Sequence, residues 1–483
     1  MEAVASSSAA SAMKAVSFLA TPLTPRIAVP SSLKSPTTKP YILTLHSSNP
    51  HLRGRPGVFC LPRCSSRPHN ETSKETDRDS TSEPHSFSKS QYPAMPLSTE
   101  SISASSSPSS SRTGLVLDLG PSGSWDSAEI GSPVVKRFLS DEEERWYMWY
   151  DGHSWERSGS DSIGLAVSSN GIHWERGQGA VKSSGDVGLV MSCGKDWWAF
   201  DTESIRPAEV VIMSSTKVRA ASSVYWLYYT GYSNEKVDVL DDSLGSYLEN
   251  PERFRFDDKN DGKRRIPKSL PGLAISQDGR HWARIEGEHH SGALFDVGSD
   301  RDWDSLFIAA PQVVFHGNGD LRMYYHSFDV ENGEFGIGIA RSRDGIKWVK
   351  LGKVIGGRRG FFDEFGAVNP CVVRNKKDGK YLMAYEGIGG DGERSIGLAV
   401  SCEGLKDWRR VEDDDEAVLK AGEREEWDNK GVGSPCLIQM DGDVDEWRLY
   451  YRGIGNGGRS GIGMAVSEGS EARRFRRWTG FHL

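Results

Sequence analysis

The chain has 483 residues, a net charge of −8 and 37% hydrophobic residues. No run of 18 apolar residues occurs, which argues against a helical membrane span, and no basic stripe marks the folded part as a nucleic-acid binder. Its 53 glycines and 15 tryptophans favour many short strands and tight turns over helical packing.

The first 70 residues hold one acidic residue, Glu2, against eight lysines and arginines, with Ser, Thr, Ala and Pro filling most of the rest. A basic, Ser-rich, acid-poor leader is the composition of an organelle transit peptide. Val58-Phe59-Cys60 resembles a chloroplast processing site, so residues 1–60 are expected to be removed on import, most simply into the stroma. Residues 61–113 stay polar and Ser-rich and are read as a disordered linker. Residues 114–483 are expected to form the ordered domain.

That domain repeats itself five times. Each repeat has an aromatic-Asp pair, a Pro six or seven residues later that is expected to open a strand, and a strand rich in Tyr and Trp. A Gly-rich strand follows, then a Gly turn and a Trp. Repeat one reads Trp125-Asp126, Pro133, Trp146 to Tyr150, Ile163 to Ser168, Asn170-Gly171 and Trp174. Repeat two reads Phe200-Asp201, Pro207, Tyr225 to Tyr229, Gly272 to Ser276, Asp278-Gly279 and Trp282. Repeat three has Trp303-Asp304, Pro311, Tyr324-Tyr325, Ile337 to Ala340 and Trp348. Repeat four has Phe362-Asp363, Pro370, Tyr381 to Tyr385, Ile396 to Ala399 and Trp408. Repeat five has Trp427-Asp428, Pro435, Tyr450-Tyr451, Ile462 to Ala465 and closes at Trp478.

Four strands per unit, repeated radially, predict an all-β fold: a five-bladed β-propeller with four antiparallel strands in each blade. The Asn-Gly and Asp-Gly pairs are expected to form tight hairpins with both residues at positive φ. Each Trp after the turn should pack between blades. Leu115-Val116-Leu117-Asp118-Leu119 is expected to complete blade five from outside. The repeated Asp126, Asp201, Asp304, Asp363 and Asp428 recur at one position, which predicts a structural role bonding backbone between blades.

The strand-opening Pro, the Tyr-Tyr strands and the Ile-Gly-Leu-Ala-Val-Ser-x-x-Gly-x-x-Trp block resemble the five-bladed superfamily of arabinanases, levansucrases and invertases. The resemblance covers about residues 114–483. It implies a glycosyl hydrolase-like fold with three acidic residues at the axial funnel, commonly one of them just before the first strand-opening Pro. Here that residue is Ser132, and its counterparts are read as Arg206, Ala310, Asn369 and Ser434.

Antiparallel order places the start of strand one and the end of strand two on one axial face. The residue ending strand two is Asp151, Thr230, His326, Glu386 and Arg452 in the five repeats. A position that varies while its scaffold repeats suggests a custom-lined funnel. Asp151, Glu386 and Glu203 are the candidate acids and bases. Arg206, His326, Asn369, Arg452 and Thr230 are the candidate substrate-binding residues, with Trp155 and Tyr232 as aromatic surfaces for a sugar. No metal and no cofactor are expected, and the ligand expected is a small sugar or oligosaccharide. The 232–271 insertion, rich in charge, is expected to be a lid or a docking element for a protein partner. The two resulting readings are a glycosidase-like, carbohydrate-active or carbohydrate-binding plastid protein, and a non-catalytic scaffold for a protein partner.

Overall fold

A computed structural model describes residues 112–480 apart from 140–142, 157–159, 214–223, 240–263, 318, 412–415, 442–445 and 470–471. All of them lie in the unit spanning Glu100–Leu483. The transit-peptide reading, nearly all of the linker and the tip of the insertion lie outside the described residues.

The described residues are all-β, with a single 3-10 turn at Asn456–Gly458 and no α-helix. Repeat one contributes strands Glu129–Leu139, Glu144–His153, Ser162–Ser168 and Glu175–Arg176, paired antiparallel in that order. Repeat two contributes Ser204–Ile212, Tyr225–Val239, Arg264–Ser276 and Ala283–Ile285. Repeat three contributes Ala309–Gly317, Asp320–Asp329, Glu334–Ser342 and Trp348–Ile355. Repeat four contributes Gly366–Arg374, Tyr381–Ile388, Arg394–Ser401 and Arg409–Arg410. Repeat five contributes Gly431–Gln439, Trp447–Ile454, Ser460–Ser467 and Phe475–Arg477. The first strands of successive repeats lie against one another, and that of repeat five lies against that of repeat one. These five strands therefore ring a common axis.

The early strand Leu115–Leu117 pairs antiparallel with the third strand of repeat five, Leu117 opposite Ile462. Two further bonds fix it there. The Met464 amide donates to the Gly114 carbonyl at 2.7 Å, and the Trp427 indole donates to the Thr113 carbonyl at 2.9 Å. Chain ends from opposite sides of the sequence thus share one sheet, and residues distant in the chain close the ring.

Aromatic residues join neighbouring repeats by one recurring device. Trp282 packs on Trp149, Trp348 on Tyr228, Trp408 on Tyr324 and Trp174 on Tyr450, with ring centroids 5.8–6.2 Å apart. Each Trp belongs to the repeat after its partner, and Trp174 of repeat one meets repeat five. The same partners donate to the turn carbonyl of the next repeat: Trp149 to Gly279, Tyr228 to Gly345, Tyr324 to Gly404 and Tyr450 to Gly171. At the interface of repeats four and five the partner position is Ala384, and Val418, Leu419, Ala472 and Phe475 pack there instead.

The repeated aspartates are buried, but their partners differ from those expected. Asp363 accepts from the Tyr385 hydroxyl at 2.9 Å and the Arg410 guanidinium at 2.5 Å. Asp201 meets Tyr229 and Arg284, and Asp428 meets Tyr451 and Arg477. Asp126 meets Tyr150 and Arg176, and Asp304 meets Tyr325 and Lys350. Each carboxylate therefore ties the loop before a repeat to strands two and four of that same repeat. The physical reason is charge: a fully buried carboxylate needs a cation as well as neutral donors, and neighbouring backbone supplies none.

The glycine turns also differ in detail. Gly171, Gly279 and Gly345 have φ of 74, 70 and 79°, while Asn170, Asp278 and Asp344 are not in the left-handed region. Instead the Asx side chain caps the turn. Asp344 accepts from the amides of Ile346 and Lys347, and Ser342 Oγ accepts from Gly345. Burial acts to raise the Asp344 carboxyl, but the amides of Lys347 and Ile346 and the Ser342 hydroxyl outweigh it and hold it below its ordinary 3.8. Asp278 is lowered in the same way, against the effect of burial, by donors from His281 and Arg280.

Three outcomes follow from these contacts. Deleting residues 114–119 from the full chain is expected to lower the thermal midpoint by roughly 5–10 °C, because the ring loses its closing strand. Replacing Asp363 by Ala leaves the partly buried Arg410 and the buried Tyr385 without their shared carboxylate, and chemical denaturation should show a loss of about 3 kcal/mol. The depressed carboxyls of Asp278 and Asp344 contribute stability that is complete above their ordinary 3.8 and fades as pH falls through their folded values. Melting curves between about pH 5 and pH 2 should record that decline, and Asp344→Asn should flatten part of it.

Candidate functional site

Register on the inner strands decides what reaches the axis. Gly131 pairs with Asp151, Ala309 with His326, Val368 with Glu386 and Gly433 with Arg452. The following residue is bulged out of the ladder. Ser132, Ala310, Asn369 and Ser434 have φ of 43, 48, 50 and 44°. Backbone in this region costs a residue with a Cβ on the order of 1–3 kcal/mol. In these four repeats the proline therefore does not open its strand; it follows a bulge at the third residue or later, where a missing N–H removes no ladder bond.

Repeat two departs from this register. Arg206 pairs with Thr230 and Pro207 with Tyr229, and the irregularity falls between Pro207 and Glu209. Arg206 thus corresponds to Gly131, Ala309, Val368 and Gly433, one position earlier than the sequence comparison places it. Proline cannot adopt positive φ, so Pro207 cannot occupy the bulge that Ser132 occupies.

Three of the five variable strand-two residues share one task. Thr230 Oγ1 accepts the Ala310 amide at 2.8 Å, His326 Nδ1 accepts the Asn369 amide at 3.2 Å, and Glu386 Oε2 accepts the Ser434 amide at 2.9 Å. In each case the acceptor holds the strained residue of the next repeat. Glu386 is further engaged by Asn369 Nδ2 at 2.8 Å and by Arg394 Nη1 at 2.6 Å. Its packing is close: a Cβ on Gly433 would lie 2.1 Å from Oε2.

Asp151, Arg206, Thr230, Asn369 and Arg452 line one axial cavity, with Tyr232, Ser132, Ala310 and Ser434. Its enclosed volume is ≈20 Å³, room for about one water molecule. Any larger ligand must sit at its mouth. His326 and Glu386 are buried and touch the lining residue Asn369 without being part of the lining. Glu203 is exposed and is not brought to the cavity. Arg452 approaches Glu129 at 3.3 Å.

The opposite end of the ring holds a larger cavity of ≈420 Å³ along the same inner strands. Several of its polar groups satisfy one another. Lys136 Nζ lies 2.5 Å from Glu209 Oε1, and Gln312 donates to Glu209 Oε2 at 2.7 Å. Cys371 and Cys436 accept the amides of Leu437 and Val135. Size alone would favour this end, but Lys136 and Glu209 there are already paired with each other.

A second cluster adjoins the small cavity; the sequence reading named its Arg206, Tyr232 and Trp155 but not His153 or Asp161. His153 Nδ1 lies 3.1 Å from Asp161 Oδ1, and Arg206 Nε donates to Asp161 Oδ2 at 2.8 Å. Arg206 also reaches the Tyr232 hydroxyl at 3.4 Å and lies over its ring. All four residues are buried. Trp155, 63% exposed, stands edge-on to His153 with centroids 4.6 Å apart. The available signal was positional. His153 and Tyr232 stand two residues beyond Asp151 and Thr230, where the other repeats have Phe328, Ile388 and Ile454.

The insertion in repeat two begins and ends as ladder rather than loop. Tyr232 pairs with Ser269, Lys236 with Pro267, Val237 with Ile266 and Val239 with Arg264. Strands two and three of this repeat therefore extend as a hairpin beyond the length seen in the other repeats. The charged tip, 240–263, on which the lid and partner readings rest, lies outside the described residues.

No family model matches the chain. A Mycobacterium tuberculosis protein of unassigned function, MT1551, is 31% identical over 207 residues, 42% of this chain and 62% of its own length. A second protein of that species, Rv1502, is 30% identical over the same lengths. The chain thus spans less than two thirds of the relatives it matches. Among solved structures, a GH130-family protein of the mannoside phosphorylases and β-1,2-mannosidases superposes with a TM-score of 0.49 at 14% identity, over 78% of this chain and 98% of that one. A thermostable family-43 glycoside hydrolase superposes with a TM-score of 0.51 at 18% identity, over 77% of this chain and 98% of its own. At that identity the match is one of fold: the described domain has a glycoside hydrolase-like, all-β architecture.

Proposed function

We propose that the described domain is a five-bladed β-propeller whose polar axial end binds a glycosyl ligand, in a plastid protein delivered by the leader at 1–60. The five four-stranded repeats, the ring of inner strands and the pairing of Leu115–Leu117 with repeat five support the blade count. The basic, acid-poor leader supports the address.

One observation carries the ligand class. Asp151, Arg206, Thr230, Asn369 and Arg452 converge from four repeats on one end of the axis, and the exposed Trp155 contacts His153 of the adjoining cluster. Sugars are recognised by such a mixture, because each hydroxyl needs a donor or acceptor and each apolar ring face needs a flat partner. The likeness of fold to a family-43 glycoside hydrolase agrees with this class, though fold alone does not assign an activity.

Binding without hydrolysis is the form of this reading that the carboxylates favour. A glycosidase of the usual kind sets two carboxyl groups about the scissile bond. Of the three candidate acids, only Asp151 lines the cavity. Glu386 is held by Arg394, Asn369 and the Ser434 amide, and Glu203 stands elsewhere.

Thermal-shift measurements on the full chain, against a panel of neutral oligosaccharides and sugar phosphates, test the proposal. A bound sugar should raise the midpoint. Asp151→Asn should abolish that rise in a sample that still melts cooperatively. Glu386→Gln should instead lower the unliganded midpoint, since it leaves Arg394 without its carboxylate. No rise with any member of the panel, from a cooperatively melting sample, would remove the sugar and leave the protein-scaffold reading. Measurable turnover lost in Asp151→Asn would replace the binder by an enzyme.

A further inference from the structure

Repeated architecture supplies its own control for what the fold requires. At the position of His153 the five repeats have His153, Tyr232, Phe328, Ile388 and Ile454. At the position of Arg206, by register, they have Gly131, Arg206, Ala309, Val368 and Gly433. In three repeats the first position is a buried or nearly buried apolar residue, and in four the second is small or apolar. The fold is satisfied by those residues. His153, Tyr232 and Arg206 depart from them, and the departures meet at the junction of repeats one and two, where they touch one another through Asp161.

Asp161 sets the state of the histidine. Its Oδ1 faces His153 Nδ1 at 3.1 Å, so the neutral ring carries its proton on Nδ1 and presents Nε2 as an acceptor. That Nε2 is buried and has no hydrogen-bond partner among the described residues. A buried acceptor left unmade costs free energy comparable to a lost hydrogen bond. A ring oriented by a carboxylate on one side and unmatched on the other is arranged to receive a donor. The charge balance narrows the donor's identity. Asp161 lies between His153 and Arg206, with Arg206 Nε at 2.8 Å, so the guanidinium already faces a carboxylate. An anionic ligand would compete with Asp161, whereas a neutral hydroxyl would not.

We propose that His153, positioned by Asp161, is a ligand-binding residue whose Nε2 accepts a hydrogen bond from a hydroxyl of a neutral glycosyl unit, with the exposed Trp155 ring covering that unit's apolar face. The inference rests on the reading of the axial end as a sugar site and adds the subsite and the group it recognises. Arg206 and Tyr232, members of both the cluster and the small cavity, make the two continuous. Trp155 stands two residues beyond His153 and is in edge contact with it.

The test uses the full chain, selectively ¹⁵N-labelled at histidine, with the methyl glycosides of arabinose, xylose, galactose and mannose as probes. At least one glycoside is expected to raise the thermal midpoint and to move the His153 Nε2 resonance. His153→Asn keeps a donor toward Asp161 but removes the acceptor at Nε2, and should weaken that glycoside about tenfold or more. His153→Gln restores an acceptor near Nε2 and should stay within about threefold of wild type. Trp155→Ala, at an exposed position, should fold normally and weaken binding. A glycoside that raises the midpoint without moving the Nε2 resonance, or that binds His153→Asn as tightly as wild type, overturns this inference and leaves the sugar reading of the axis standing. If His153→Asn does not fold, the wild-type resonance decides. Absence of any midpoint rise overturns both.

Discussion

A residue with left-handed backbone, placed immediately before a proline on the innermost strand, is the constraint on which this structure turns. It occurs at Ser132, Ala310, Asn369 and Ser434. Each instance is strained, and the strain persists only because neighbouring groups over-determine it. The ladder on either side fixes the register, and at three of the four the preceding repeat accepts the strained amide through a side chain. The ring is therefore stapled at its narrowest circle by side chains of strand two. Farther out, the Trp-on-aromatic contacts and the buried Asp–Tyr–cation groups repeat the same logic at larger radius, within and between repeats.

This changes what variability at the axis means. Thr230, His326 and Glu386 look like a varied lining when read along the chain, yet all three are acceptors for one kind of amide. A threonine hydroxyl, an imidazole nitrogen and a carboxylate are interchangeable in that task. Differing residue types at equivalent places thus follow partly from a single structural need. Arg452 breaks the series, because a guanidinium cannot accept. It turns toward Glu129 instead, and Gly131 lies close enough for an added Cβ to meet its Cδ at 3.0 Å.

Much of the architecture was legible because each repeat carries the same landmarks at the same spacing. The four-strand units, the closing strand at Leu115–Leu117, the inter-repeat tryptophans and the buried aspartates could all be placed from those landmarks. The site was less legible for a definite reason. Proline was used as the alignment mark, but hydrogen-bond register, not proline, is what the strands share. In repeat two the mark and the register differ by one residue, which misplaced Arg206. The partners of the aspartates were equally hidden. Nothing in the spacing of Asp363 and Arg410 shows that a loop and a fourth strand meet, while the charge of a buried carboxylate predicts only that some cation must.

Departures from symmetry also bear on the proposed site. Where all five repeats agree, the fold explains the residue, and where one repeat disagrees without structural need, something else must. Several of the disagreements fall together. The shifted register at Pro207, the arginine in place of a small residue at 206, and the polar side chains at 153 and 232 all fall in repeats one and two. The hairpin that outgrows its counterparts also belongs to repeat two. Glu386, the most attractive acid on chemical grounds, sits instead at the junction of repeats four and five. Its three donors hold it in the staple. A ligand at this end of the axis is therefore expected to lie off-centre, over the junction of repeats one and two, and not symmetrically on the ring.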